Sequence, residues 1–168
     1  MANQESQLIT DLTSTPIKKH QSIDVESRVR TAIATVALTD AAATDVIRFV
    51  RVPSRARVED VELVNDQIDS NGTPTLTVDV GLYATNGGAA VNDNVFSSGN
   101  TSLHTASNTF VDVLDNVAAA DRAKQLWDLL GDSSDPGESY DVALTVDTAA
   151  ATFSAGNVTL RVRYTLPE

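Results

Sequence analysis

The sequence contains no cysteine, which excludes disulfides, thiolate nucleophiles and cysteine-ligated metal sites. Aromatic residues are also few, with one tryptophan, three tyrosines and four phenylalanines in 168 residues. No apolar run approaches the roughly 18 residues that a membrane-spanning helix needs, so we expect no membrane partner. The N-terminus is polar, and we expect no signal peptide there. These absences argue against a thiol enzyme, an integral membrane protein and a disulfide-stabilised scaffold.

Basic residues are scarce and unevenly placed. The chain carries 12 basic and 23 acidic residues and has a formal net charge of -11. We therefore expect no nucleic-acid partner, because binding to phosphates needs positive charge. Eight of the 12 basic residues lie in the first 57 positions, and none lies between Arg57 and Arg122. Two interpretations stay open: an acidic surface that serves solubility, or a polar molecule that docks one end on an acidic partner.

The length and composition predict one folded domain with an N-terminal extension. Hydrophobic residues make up 42% and charged residues 21% of the chain, which is typical of a globular protein. Residues 1–27 differ, because they are rich in Gln, Ser, Thr and Lys and contain few bulky apolar residues. Such a segment cannot bury enough apolar surface to fold alone. We therefore divide the chain into an extended N-terminal arm, residues 1–27, and a folded domain, residues 28–168.

Alternation of apolar and polar residues predicts strands along most of the folded domain. The clearest case is residues 75–83, where Leu76, Val78 and Val80 share one face. A weaker candidate is the alanine-rich segment 30–38, since alanine is a poor strand former. Turn-forming segments such as 97–100 separate the strands. The pattern predicts an antiparallel all-β fold whose further strands are 46–52, 57–64, 109–115, 139–147 and 157–165.

One helix is predicted between the strands, over residues 116–131. Its apolar residues recur at helical spacing, Asn116 suits the start, and Gly131 suits the end. The apolar face includes Leu126, Trp127 and Leu130, and we expect it to close one end of the β core. We interpret Trp127 as a core anchor, with a ligand platform as the alternative.

No constellation of residues indicates catalysis. The two histidines, His20 and His104, lie in dissimilar contexts, and no nucleophile elbow is present. Carboxylate pairs of the kind that glycoside hydrolases use stay open, since the acidic residues offer many pairs. The oxygen-rich segments 65–72 and 132–138 lack the ligand spacing of an EF-hand, and we interpret them as turns. We predict no catalytic, cofactor-binding or metal-binding residue, no cofactor, and no enzyme activity.

The C-terminal third of the chain resembles a known family of virion proteins. The resemblance is carried by the segments LWDLLG (126–131), DPG (135–137), YDVAL (140–144) and GNVTLRVRY (156–164). Two earlier segments contribute to it, PSRARVEDV (53–61) and VGLY (80–83). Together they resemble the head decoration, or cement, proteins of tailed bacteriophages. The similarity covers roughly residues 45–165, and the arm takes no part in it.

This resemblance implies both a fold and a role. Members of the family have jelly-roll or related β-sandwich folds and lie, commonly as trimers, on the outside of an icosahedral capsid. With the strand pattern, this gives our predicted fold: an all-β, jelly-roll-like antiparallel β-sandwich with one short helix and an extended N-terminal arm. The implied role is a non-enzymatic virion protein, assembled in the cytoplasm of a host bacterium. Its partners would be the major capsid protein, whose adjacent subunits it bridges, and itself as a homotrimer.

The arm contains the residues that we predict to bind the capsid. Pro16 interrupts any regular element, and Lys18, Lys19 and His20 form one basic run. Two other functions stay open: a neck or tail component of the virion, and a carbohydrate-binding β-sandwich with or without a calcium requirement. A sugar binder should present an exposed row of aromatic residues. A cement protein should present an apolar trimer seam and an arm that leaves the body.

Overall fold

The computed structural model of the protein describes residues 28–167 and contains eight β-strands, one short α-helix and one 3-10 turn at Ser102–His104. The helix α1 is Leu126–Leu129. Among the described residues, no helix has the length and apolar character needed to cross a membrane. The strands are β1 Val29–Leu38, β2 Val46–Pro53, β3 Arg57–Asn65, β4 Thr77–Ala84, β5 Ala90–Asn100, β6 Ser107–Asp112, β7 Ser139–Thr148 and β8 Gly156–Thr165.

The strands form two antiparallel four-stranded sheets with the strand order of a jelly roll. One sheet has the order β1-β8-β3-β6 and the other the order β2-β7-β4-β5. Successive strands pass from one sheet to the other, except that β4 and β5 are neighbours in the same sheet. This arrangement confirms the predicted all-β, jelly-roll-like β-sandwich with one short helix.

The core lies between the sheets and is built from the alternation seen in the sequence. Val78, Val80 and Leu82 of β4 point inward and are fully buried, and Leu160 and Val162 of β8 face them from the other sheet. Successive side chains of a strand point to opposite faces, so every second residue reaches the core. Each fully buried aliphatic side chain contributes about 1.5–3 kcal/mol relative to an exposed one.

Two strands show where the sequence patterns succeeded and failed. The alanine-rich segment predicted at 30–38 is confirmed as β1, which pairs with β8 without a break in register. Strand β5 was not predicted, and its residues 97–100 had been assigned to a turn, which is wrong. The reason is its irregular pairing with β4, whose register shifts three times along the strand. Bulges of this kind remove the strict alternation on which strand prediction depends.

The predicted helix over 116–131 is also wrong over its first ten residues. Only α1 is helical, and turns occupy much of the segment before it. Asn116 does not cap a helix there, because its side-chain amide donates to the carbonyl oxygen of Asn94 at 2.7 Å. Arg122 donates instead to the carbonyl oxygens of Leu114 and Val117, which fixes the turns. The bond of Asn116 to β5 and the local turns that Arg122 fixes outweigh the helical propensity of the alanines.

The side chains of α1 differ in burial from the prediction for Trp127. Leu126 is fully buried, and Leu130 is partly buried against the core, as predicted. Trp127 is half-buried and is not part of the core cluster. Its indole Nε1 donates to Oε1 of Gln125 at 3.0 Å, so its polar edge is satisfied locally. Leu126, rather than Trp127, is therefore the anchor of this segment.

Alanine substitutions of Leu126 and Trp127 test which of the two side chains anchors this segment. We expect Leu126→Ala to lower the free energy of unfolding by about 2–5 kcal/mol, because it leaves a cavity in a fully buried site. Trp127→Ala should cost less than Leu126→Ala, since the Trp127 side chain is only partly buried and lies outside the core cluster. Urea denaturation followed by circular dichroism measures both. A larger cost for Trp127→Ala would contradict the assignment of Leu126 as the anchor.

Gly81 of β4 lies where the neighbouring strand β5 crosses closely. Val80 pairs with Ser97 and Leu82 with Asn92, so the six residues 92–97 of β5 lie opposite the three residues 80–82 of β4. The extra residues bulge toward Gly81. A Cβ atom at Gly81 would lie 2.2 Å from the carbonyl carbon of Asp93 and 2.3 Å from the carbonyl oxygen of Asn92. Only glycine fits this close approach of two backbones.

We therefore expect Gly81→Ala to be strongly destabilising, by about 3 kcal/mol or more, because backbone atoms cannot move aside as a side chain can. Gly72→Ala is the matched control, since a Cβ atom there has no neighbour within 4 Å and the backbone needs no positive φ. Thermal unfolding of both variants tests this. Equal melting temperatures for the two would show that the bulge of β5 is misplaced.

Candidate functional site

The residues predicted to bind a capsid lie outside the described residues. Pro16, Lys18, Lys19 and His20 all belong to the arm, residues 1–27, and their role stays a prediction. The division of the chain into an arm and a domain of residues 28–168 likewise stays a prediction. The described chain enters the fold at Arg28, directly before β1.

The described residues contain neither a metal-binding cluster nor an exposed row of aromatic residues. Within 28–167, no group of three or more His, Asp or Glu side chains could hold a metal ion. The Nε2 atom of His104 lies 2.5 Å from the carbonyl oxygen of Leu76, so this ring joins two loops. All eight aromatic residues fall in this range, and none of them is fully exposed. An exposed row of aromatics, the feature expected of a carbohydrate-binding module, is therefore missing from the described surface.

Asp69 fastens the loops at one end of the sandwich. Its carboxylate is fully buried and accepts five backbone N–H groups. Two donors come from the loop between β7 and β8, and three come from its own loop between β3 and β4. The donors, with their distances to the carboxylate oxygens, are Asn71 at 3.2 Å, Thr75 at 2.8 Å, Leu76 at 3.1 Å, Ala151 at 3.0 Å and Thr152 at 3.1 Å.

These bonds keep Asp69 charged. Burial alone would raise the pKa of this carboxyl, but the N–H groups of Thr75, Thr152, Ala151 and Asn71 outweigh it and hold the pKa well below its usual range. The oxygen-rich segment 65–72 thus organises loops. Sequence reasoning recognised it as turn-forming but missed the role of Asp69, because two of the five donors lie more than 80 residues away in the chain.

The second oxygen-rich segment, 132–138, organises the opposite end. Asp135 accepts a hydrogen bond from Oγ of Ser54 and one from the backbone N–H of Gly137, and both lower its pKa. The N-terminal end of α1 donates to the same turn between β2 and β3, from the N–H of Leu126 to the carbonyl oxygen of Ala56 at 2.8 Å. The exposed loop after α1 and the turn between β2 and β3 therefore form one unit.

Four arginines on the outer faces of the sheets form ion pairs with three acidic neighbours. Arg48 and Arg51 both contact the carboxylate of Asp141, at 3.4 and 2.7 Å. On the other sheet the pairs are Arg161 with Glu62 at 2.7 Å and Arg163 with Asp60 at 3.0 Å. Arg161 also lies over the ring of Phe110, 3.6 Å from its centroid. These contacts stabilise the sheet faces, and the three carboxylates offset three of the four positive charges.

The other basic residues of the described chain lie at one end of the sandwich. The loops 39–45, 66–76, 101–106 and 149–155 form the end that Asp69 fastens, and they contain no Lys or Arg. The opposite end holds the start of β1, the turn between β2 and β3, and the segment 113–138. Its basic residues are Arg28, Arg30, Arg55, Arg57, Arg122 and Lys124, interspersed with acidic ones. The described molecule is therefore polar, with one end acidic and the other of mixed charge.

Comparison with solved structures finds the same fold in phage capsids. A chain in the capsid of cyanophage Pam1 is 27% identical over 84% of this chain and 86% of that chain, with a TM-score of 0.59. A chain in the capsid of Ralstonia phage GP4 is 20% identical over 89% of this chain and 92% of that chain, with a TM-score of 0.67. No protein-family model and no curated protein matches the sequence.

Substitution of Asp69 by asparagine tests the fastening of the loops. The amide keeps one acceptor oxygen but turns an NH2 group toward N–H donors, so we expect Asp69→Asn to lower the melting temperature by several degrees at pH 7. The matched control is Asp147→Asn, since Asp147 is exposed and accepts only from the hydroxyls of Thr77 and Thr148. That control should melt close to the wild type.

The same pair of variants predicts a pH dependence. Because the pKa of Asp69 is lower in the folded chain than the value of about 3.9 in an unfolded one, its stabilisation is present above pH 4. It is lost progressively as the pH falls further. The gap in melting temperature between wild type and Asp69→Asn should therefore be constant from pH 7 to 5 and narrow below about pH 4. A gap that does not change with pH would contradict a charged Asp69.

Proposed function

We propose that this chain is a structural protein of a bacteriophage capsid, and within the capsid a decoration protein that binds the outer surface and bridges adjacent major capsid subunits. The observation that carries the proposal is the similarity to a chain of the cyanophage Pam1 capsid, which extends over 84% of this chain at 27% identity. The jelly-roll order of the strands fits it, since this fold recurs in viral capsid domains.

The described surface supports a role in binding other proteins rather than in catalysis. Several of its charged side chains, among them Asp69 and Asp141, are used in loop contacts and ion pairs, and no cluster suited to a metal occurs in residues 28–167. A rigid sandwich with fastened loops presents fixed surfaces at little entropic cost on binding. We infer a non-enzymatic virion protein on these grounds.

The arm would supply part of the contact with the capsid. Residues 1–27 join the body at Arg28, on the end of mixed charge that also carries Arg30 and Arg55, so Lys18 and Lys19 add positive charge next to that end. About 25 extended residues reach at most roughly 80 Å, enough to cross onto a neighbouring subunit. We propose that this end faces the shell and that the acidic end with Asp69 faces solvent.

Reinforcement would come from added interface across the joints between capsid subunits. A homotrimer at a local threefold axis engages three equivalent footprints, and three arms bound together give an avidity well above that of one arm. Mechanical or osmotic stress must then break more contacts before the shell opens. Both the trimer and the position on the outer surface belong to this proposal.

Reconstitution onto shells tests the proposal. Capsids of the parent phage that lack this protein are mixed with the purified full chain, sedimented, and tested for bound protein and for resistance to heat. We expect saturable binding and a higher temperature of genome release. Absence of binding at micromolar protein would contradict a decoration role and favour a neck or tail component.

Charge changes in the arm test which end binds. Lys18→Gln combined with Lys19→Gln should weaken binding at least tenfold and make it less dependent on salt, because two ionic contacts are lost. The matched control is Ala43→Asp combined with Ala106→Asp, which changes the net charge equally at two exposed positions of the opposite end. Equal weakening by both pairs would show that net charge, rather than the arm, controls binding.

A further inference from the structure

Strand β1 forms an open edge of the sandwich. Within the described residues it pairs only with β8, and the ten pairs from Val29 with Thr165 to Leu38 with Gly156 follow one another without a bulge. The other side of β1 is the edge of its sheet. Its outward backbone N–H and C=O groups form a regular row that another strand could extend.

The other three edge strands each carry a feature that blocks such pairing, whereas the only charged residue of β1 is Arg30, at its second position. Strand β2 has a bulge after Arg48, two outward arginines and a terminal proline. Strand β5 shifts its register three times, and β6 has only six residues and one shift. Between Thr31 and Thr39, by contrast, β1 has no charged residue and no proline. Sandwich proteins commonly protect their edges, so an unprotected long edge marks an interaction site.

The outward side chains of β1 add apolar surface beside this edge. Val29 and Ile33 are 51% and 56% exposed, which makes them the two most exposed large hydrophobic residues of the described chain. Thr31, Thr35 and Ala37 lie on the same face and are also exposed. All five are β-branched or small, so a second strand could approach without obstruction.

We propose that β1 pairs antiparallel with β1 of a second copy of this chain, around a twofold axis at Ala34, to join two four-stranded sheets into one sheet of eight. Twofold, self-complementary interfaces are the commonest contact between identical chains. In this register residue i lies opposite residue 68 minus i of the second copy, so the paired strands cover almost their full length.

Charge complementarity selects the second copy as the occupant. The Ala34-centred register places Arg28 of each copy opposite Asp40 of the other, which gives two ion pairs at the ends of the joined strands. Arg28 directly precedes β1 and Asp40 follows its end by two residues, and both side chains are exposed. Ile33 lies opposite Thr35 and diagonal to the second Ile33, so the exposed isoleucines cover each other.

This interface goes beyond the proposed function and does not depend on it. Pairing through β1 doubles whatever assembly the rest of the surface forms, from monomer to dimer or from trimer to hexamer. Experiments can therefore contradict capsid binding without contradicting the pairing through β1, and the reverse is also true.

The mass of the full chain in solution tests the pairing. Light scattering at tens of micromolar should give an even multiple of 17.8 kDa for the wild type. Ile33→Lys should halve that mass, because two lysines would meet across the axis. Val91→Lys is the matched control, since Val91 is 44% exposed on the edge strand β5, and it should leave the mass unchanged. An odd multiple for the wild type, or no effect of Ile33→Lys, would overturn the proposal.

Disulfide cross-linking through introduced cysteines tests the register. Because the protein has no native cysteine, only the introduced residues can form disulfides. A mixture of Ile33→Cys and Thr35→Cys chains, exchanged and then mildly oxidised, should give more disulfide-linked dimer than either variant alone. The reason is that directly opposite residues lie within disulfide range, while diagonal ones do not. A mixture of Ile33→Cys with Val91→Cys should give no such increase. Equal yields from all mixtures would overturn the Ala34-centred pairing.

Discussion

The burial of one face of each sheet against the other is the constraint on which the rest of the structure depends. Apolar side chains at every second position, such as Val80 and Leu160, make each strand two-sided, and two such sheets are stable only when their apolar faces meet. With strands of about ten residues, the connecting loops must then gather at the two ends. The outer faces are left to polar residues, of which the pairs Arg161–Glu62 and Arg51–Asp141 are examples.

Each end is held by a carboxylate that lies in a turn. Asp69 ties the loop after β3 to the loop after β7, and Asp135 ties the segment after α1 to the turn before β3. The loops at both ends are therefore held in place, and the two ends differ in charge. The sandwich is thereby suited to present one end to a partner and the other to solvent. The edge strands of the two sheets offer a second kind of binding surface. Among the four edge strands, only β1 has no bulge, no proline and no charged residue in its central part.

Sequence reasoning reached the fold class because the alternation in β4, β7 and β8 is undisturbed, and even the alanines of β1 kept the period of two. It failed where long-range contacts outweigh local preference. The bulges of β5 hide its period, and the helical pattern before Leu126 is overruled by the bond of Asn116 to β5 and by the turns that Arg122 fixes. The binding role of Lys18 and Lys19 could be proposed from charge and composition, but a surface formed by several loops cannot be assembled from one sequence without the strand order.

The central claim is that this sandwich decorates a capsid from outside. The most direct measurement is a cryo-electron microscopy map of the parent phage particle, at a resolution that separates strands. The account predicts a jelly roll formed by residues 28–167 on the outer surface of the shell, with its Arg55 end toward the major capsid protein and its Asp69 end toward solvent. A shell without this density, or the same density at the neck or tail, would contradict it.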